Sequence, residues 1–214
     1  MLKVGLTGGI AAGKSVVGEM FVSLGAHLVQ ADAIAHDLMQ PGTEVYEDVV
    51  RHFGKQVLRR DGNIDRARLA DIAFGSSGTP SRITELNRIV HPAVIRKQDQ
   101  WMEEVGRGDP TAIAMVEAAL ILEAGAAKRF DKLVVVTCQS EQRAQRWAKR
   151  TNADLESARI EVNRRMAAQL PDEEKIKAAN FVINNSGSFD ATRKQVQQVF
   201  ERLRRLSLNV PKSR

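Results

Sequence analysis

Eight consecutive residues carry the strongest chemical signal in this chain. Gly8-Gly9-Ile10-Ala11-Ala12-Gly13-Lys14-Ser15 fits G-x-x-x-x-G-K-[ST], the phosphate-binding loop pattern. Gly8 and Gly13 permit backbone geometries that a side chain would obstruct. The loop N–H groups and the N-terminus of a following helix then point at phosphate oxygens. Lys14 adds a mobile cation for the β- and γ-phosphates, and Ser15 offers a hydroxyl ligand to Mg²⁺. A glycine-rich turn with an ordinary surface lysine would match the same pattern, so context matters. Lys3–Thr7 before the loop reads as a buried strand. Lys14–Leu24 after it places Val17, Met20, Phe21 and Leu24 at helical spacing.

Two acids stand where such a loop can use them. Asp32 follows a short strand pattern, His27–Gln30, so it belongs at the carboxyl edge of the sheet, where ligands of open α/β sheets bind. There it can accept a proton from an attacking hydroxyl or orient it; as an alternative it caps a helix over Ala33–Leu38. Glu117 ends the strand pattern that starts at Ala112. It is either a ligand near Mg²⁺, directly or through water, or a charge closing a buried strand.

Arg143, Arg146 and Arg150 fall at i, i+3 and i+7, on one face of a helix. Such a face can close over a triphosphate and stabilise transition-state charge; without an anionic partner, like charges on one face cost stability. The alternative is a solvated charged face. His27, His36, His52 and His91 show no metal-ligand spacing, and the one cysteine, Cys138, is distant from all of them in sequence, which argues against a zinc site.

The elements that must position these groups follow from the pattern. Strands are expected at 3–7, 27–30, 112–117, 133–137 and 181–184. Helices are expected at 14–24, 141–150, 154–168 and 189–206, with a frayed tail from Ser207. Between Ala33 and Arg107 no strong strand pattern occurs; helices with breaks at Pro41-Gly42, Asp61-Gly62 and Gly75-Ser76-Ser77-Gly78 are expected. The fold class is therefore α/β: a P-loop-type parallel sheet core flanked by helices, with a helical insertion and a smaller basic helical excursion.

Composition narrows the partners. The chain has 214 residues, 43% of them hydrophobic, enough for a sizeable core. The formal net charge is +6, but residues 1–140 hold 16 basic and 17 acidic residues while 141–214 hold 16 and 9. The excess is confined to the last third, and aromatics are only 5% of the chain, so platforms for stacking single strands are scarce. No nucleic-acid partner is expected. The absence of an apolar run of about 18 residues argues against a membrane span. The single cysteine fits a reducing compartment, and a cytoplasmic protein is expected.

Several segments in order resemble the dephospho-coenzyme A kinase family, over about residues 2–200. They are VGLTGGIAAGKS, QADAIAHDLMQPG, DGNIDRARLADIAF, IVHP at Ile89–Pro92, VEAALILEAG and RMAAQLPDEEKIKAANFVINNSGS. The resemblance implies phosphorylation of the ribose 3′-hydroxyl of dephospho-CoA, with ATP as co-substrate and Mg²⁺ as cofactor, by a chain that is monomeric or weakly oligomeric. It implies a nucleotide-binding core from 1–32, 111–140 and 171–214, a CoA domain at 33–110 and a lid at 141–170. It makes Asp32 the base or hydroxyl-orienting group, and Lys14 and Arg146 catalytic. It assigns Gly9, Ile10, Ala11, Ala12, Gly13, Lys14, Ser15 and Val16 to the ATP phosphates. Arg150, Asn185 and Gly187 are also assigned to the nucleotide, the last two near the adenine. Arg66 and His91 join Asp32 on the acceptor, and Ser15 and Glu117 on the metal. The chain departs from the family's usual residues at Ala11-Ala12 (Gly-Ser), Val16 (Thr), Glu117 (Asp), Ala119 (Pro), Arg143 (Gln) and Asn180 (Asp).

Overall fold

The computed structural model describes residues 1–75 and 80–209. The chain divides into two compact units, one made of Met1–Gln30 with Met102–Arg214 and the other of Ala31–Trp101.

The first unit is built on strands β1 (Leu2–Gly8), β2 (His27–Gln30), β3 (Ile113–Glu117), β4 (Lys132–Thr137) and β5 (Phe181–Asn184). Among the described residues they form one all-parallel sheet in the order β2-β3-β1-β4-β5. The central strands β1, β3 and β4 are buried almost throughout, as a parallel sheet covered on both faces requires. Period-two alternation sorts their side chains. Val134 and Val136 join Leu2, Val4 and Leu6 on one face, under α1 (Lys14–Ser23) and the C-terminal helix. Leu133 and Val135 pack on the other face with Ile121, Leu122 and Phe130. The register pairs Leu6 with Glu117, Gln30 with Glu117 and Thr137 with Asn184, so the carboxyl ends of the strands share one edge. Beyond β1 the neighbours diverge, β3 on one side and β4 on the other. This is the switch point at which open sheets of this kind bind ligands.

The second unit holds α2 (Ala31–Leu38), α3 (Glu44–Phe53) and α4 (Arg66–Phe74), with most of α5 (Ile83–Gly108). In α3, Thr43 is the N-cap and Val45, Val49 and Phe53 are buried at i, i+4 and i+8. Tyr46 donates its phenol to the Gly62 carbonyl at 2.6 Å, and Arg82 lies over the Phe53 ring at 4.5 Å. α5 runs on through Pro92, which removes one N–H from its ladder without ending the helix.

After β4 come α6 (Ser140–Thr151), α7 (Leu155–Ala167) and α8 (Asp172–Ala178); α9 (Phe189–Leu208) follows β5. Asn152 reverses the chain between α6 and α7 with φ 53°, and Asp154 caps α7. Three differences from the sequence expectations are informative. α8 has no amphipathic stripe long enough to read, yet it forms. Asp172, Glu173 and Glu174 sit in its first turn, where they favour the helix dipole, and buried Lys175 pairs with Glu123 at 2.9 Å. α9 continues past Leu206 to Leu208, where Ser207 is buried and donates to the Arg204 carbonyl at 2.9 Å; residues 210–214 of the expected frayed tail lie outside the described residues. α2 starts at Ala31, so Asp32 lies inside its first turn and is not a cap for a helix starting at Ala33. Of the break expected at 75–78, Gly75 ends α4 and the other three residues lie outside the described residues.

Candidate active site

The glycine-rich loop joins β1 to α1. Gly13 takes φ 93°, a left-handed conformation open to glycine at little cost, and becomes the N-cap of α1. Ala11 also has positive φ, 53°, which strains a residue with a Cβ. Lys14 turns back and donates Nζ to the Gly8 and Gly9 carbonyls at 3.1 and 3.3 Å.

A phosphate-binding loop must turn its N–H groups to one side, so its carbonyls face the other and need donors there. These donors come from distant segments. Arg146 on α6 donates Nη1 to the Ala12 carbonyl at 3.0 Å and to that of Ala11 at 3.5 Å, and Nη2 to Asn185 O at 2.8 Å. Asn185, just past β5, donates its carboxamide to the Ala12 carbonyl at 2.9 Å, and its side-chain oxygen accepts from Thr192 at 3.0 Å. Arg143 donates to the Ile10 carbonyl at 3.3 Å. Cys138 brings its thiol to 3.9 Å from the Ala11 carbonyl. Burial pushes that thiol up from its ordinary range, so it is an uncharged neighbour of the loop.

Ser15 and Glu117 also meet. The exposed Ser15 donates its hydroxyl to Glu117 Oε1 at 2.9 Å, and Gln30 donates to Glu117 Oε2 at 3.2 Å. Glu117 is 8% exposed, so its carboxylate is held by these two side chains at the sheet edge. A hydroxyl and one carboxylate beside a phosphate loop are the donor set Mg²⁺ uses when phosphate oxygens and waters complete the octahedron. The described residues hold no cluster of three His, Cys, Asp or Glu that would favour a protein-caged metal.

The arginine face divides three ways. Arg143 is fully buried and paired with Asp172, the anionic partner that the like-charged face needed. Arg146 reaches the loop. Arg150 lies over the Trp147 ring at 4.5 Å, with Arg165 over the same ring at 4.6 Å, away from the loop carbonyls. Val16 is exposed on α1, and Gly187 lies in the turn between Asn185 and α9.

Three candidates belong to the helical unit. Asp32 is exposed, with no hydrogen-bond partner for its carboxylate among the described residues. Arg66 opens α4 and lines a cavity of about 200 Å³ with His36, Gln40, Arg59 and Asn63. His91 lies within α5, half-buried, and burial lowers its pKa, which favours the neutral imidazole.

Sequence reasoning missed Gln30, Asp172 and the loop-bracing role of Asn185. The register of β2 with β3 places Gln30, and nothing in the local pattern of residues 171–174 marks Asp172 as the partner of a buried arginine 29 positions earlier.

The chain is similar to known proteins over nearly its whole length. The dephospho-CoA kinase family profile matches residues 2–191. A dephospho-CoA kinase of Aquifex aeolicus is 39% identical, over 96% of this chain and 99% of its own. Among solved structures, protein TT1252 of Thermus thermophilus superposes with a TM-score of 0.76 at 31% identity, covering 94% of this chain and 97% of its own. The dephospho-CoA kinase of Campylobacter jejuni superposes with a TM-score of 0.66 at 26% identity, covering 95% and 97%. With a family match over nearly the whole chain and relatives of full length, this chain belongs to the dephospho-CoA kinase family.

Proposed function

We propose that this chain transfers the γ-phosphoryl group of ATP to the ribose 3′-hydroxyl of dephospho-CoA, giving CoA and ADP, the last step of CoA biosynthesis. The observation that carries this reading is the assembly at the carboxyl edge of the sheet: a phosphate loop held from outside by Arg146 and Asn185, with Ser15 and Glu117 joined beside it.

The roles follow from that arrangement. The loop from Gly9 to Val16 binds the ATP phosphates through its N–H groups. Lys14 exchanges its carbonyl contacts for phosphate oxygens, to which its charge is better matched. Ser15 and Glu117 would hold Mg²⁺, which when bound offsets phosphate charge. Arg146, which braces the carbonyl side of the loop in this structure, would exchange those contacts to stabilise charge on the transferring group. Arg150 acts from the same helix, and Asn185 and Gly187 form the loop that approaches the adenine.

Asp32 follows Gln30 by two residues and carries an exposed, unpartnered carboxylate, which suits a group that must accept or orient a hydroxyl proton. The acceptor domain, about 33–110, is built mainly on the helical unit of Ala31–Trp101. Its cavity carries His36, Arg59 and Arg66, cationic or polar groups suited to the phosphates of dephospho-CoA, with the neutral His91 on the same unit. Residues 141–170 form the lid that excludes water, a competing acceptor. The protein acts in the cytoplasm on small molecules, as a monomer or weak oligomer. No described helix is long and apolar enough to cross a membrane.

An ADP-release assay with dephospho-CoA against a panel of nucleosides and nucleotides tests the acceptor. Turnover only with dephospho-CoA is expected; preference for a nucleoside would replace this reading with another small-molecule kinase on the same core. Asp32→Asn should lower turnover by about 10²–10⁴-fold with ATP still bound.

A further inference from the structure

Arg143 is the largest fully buried side chain among the described residues. Two of its three guanidinium nitrogens are held by three partners. Nη1 donates to the Ile10 carbonyl at 3.3 Å, and Nη2 donates to Cys138 O at 3.4 Å and to the Asp172 carboxylate. It presses so closely on residue 9 that a Cβ on Gly9 would overlap the guanidinium. Its Nε is buried without a partner. Full burial and the pairing with Asp172 keep this arginine from swinging over a phosphate as a finger does.

Its effect on the loop follows from peptide geometry. In a trans peptide the C=O and the next N–H point in opposite directions. Holding the Ile10 carbonyl outward therefore turns the Ala11 N–H to the other side, where phosphate oxygens must lie. Ala11 is also the loop residue with strained positive φ. Arg143 holds the carbonyl before Ala11, and Arg146 holds those of Ala11 and Ala12. Three consecutive carbonyls are thus fixed by two arginines one helical turn apart on α6. Asp172, in the first turn of α8, anchors the first of the two.

We infer that Arg143, anchored by Asp172, is a positioning residue for nucleotide binding: it holds the Ile10–Ala11 peptide in the orientation that aims the loop N–H groups at phosphate. The first turn of α6, at the start of the proposed lid, is accordingly tied to the phosphate loop in this structure. This inference rests on the nucleotide-transfer reading above.

Equilibrium titration with ADP, well below the melting temperature of every variant, tests it, with KM for dephospho-CoA measured alongside. Arg143→Met keeps most of the side-chain volume and removes the donors. It should weaken ADP at least tenfold while KM for dephospho-CoA stays within twofold. Arg143→Lys, with one point donor in place of the fork, should recover most of the loss, to about threefold weaker than the parent. Asp172→Asn keeps Arg143 and an acceptor oxygen, so it should lower the melting temperature but hold ADP affinity within threefold. Equal ADP affinity in the parent and Arg143→Met overturns the inference. So does an equal rise of both constants, since that marks general destabilisation. If Arg143→Met does not fold, the threefold, ADP-selective loss in Arg143→Lys carries the test, and its absence overturns the inference. A parent that binds no ADP overturns the transfer reading itself, a result distinct from all of these.

Discussion

Ser15 and Glu117, 102 residues apart in the chain, are joined by a 2.9 Å hydrogen bond between the hydroxyl and a carboxylate oxygen. The first residue pair of their shared context is set by sheet register: Leu6 of β1 lies opposite Glu117 of β3, and the loop from β1 then brings Ser15 back over the same edge. Gln30 holds the other carboxylate oxygen, so the acid is oriented from two sides. Glu117→Gln keeps the size and removes the charge. We expect it to raise the Mg²⁺ concentration for half-maximal velocity about tenfold, with KM for dephospho-CoA little changed. An unchanged Mg²⁺ dependence would assign Glu117 a purely structural role.

Arg146 differs from Arg143 in having carbonyl partners only, so it keeps an unneutralised charge beside the loop. Arg146→Ala should reduce kcat by about 10²-fold or more, with a smaller rise in KM for ATP. An effect confined to KM would mean that Arg146 binds ground state and transition state alike.

Ala11 sits at φ 53°, where a Cβ costs about 1 kcal/mol. Ala11→Gly relieves that strain and gives back part of the gain to the more flexible unfolded chain. A rise in melting temperature of about 1–3 °C with transfer activity retained is the expected result, read by calorimetry. A lower melting temperature would show that the braces on both sides of Ala11 do not depend on its conformation.

Glu161 on α7 is held by Arg164 at 2.8 Å and Arg165 at 2.6 Å, and these partners, Arg164 first, lower its pKa from 4.5 to about 2. A carboxylate whose folded pKa is depressed contributes stability above its unfolded pKa and loses it as pH falls through the folded one. The window here is about pH 4.5 down to about 2. Because the arginines are largely exposed, solvent screening keeps the contribution to about 1 kcal/mol or less. Glu161→Gln should therefore melt about 1–3 °C lower at pH 7, and the gap should close as pH drops toward 2. A gap independent of pH would point to packing instead.

Much of this protein was legible before any fold was known. The phosphate loop is contiguous, so its chemistry is written in eight adjacent residues. The strands are short apolar runs whose period is local, and all five occur where that pattern places them. The helical character of 33–107 follows from the lack of any strand pattern there. The arginines at 143, 146 and 150 were visible as a helix face, because that depends only on a 3.6-residue period.

What each member of that face does was decided by tertiary structure alone. The same helix turns one arginine into a neutralised brace, one into a loop contact and one into a stacking partner of Trp147, because each meets a different distant segment. Asp172 and Gln30 carry no local mark of their roles; packing of α8 and parallel strand register create them. Sequence periodicity determines which side chains share a face, since it is a property of one element. Which carbonyl, carboxylate or ring that face meets depends on the ends of other elements, and only the closed fold brings those together.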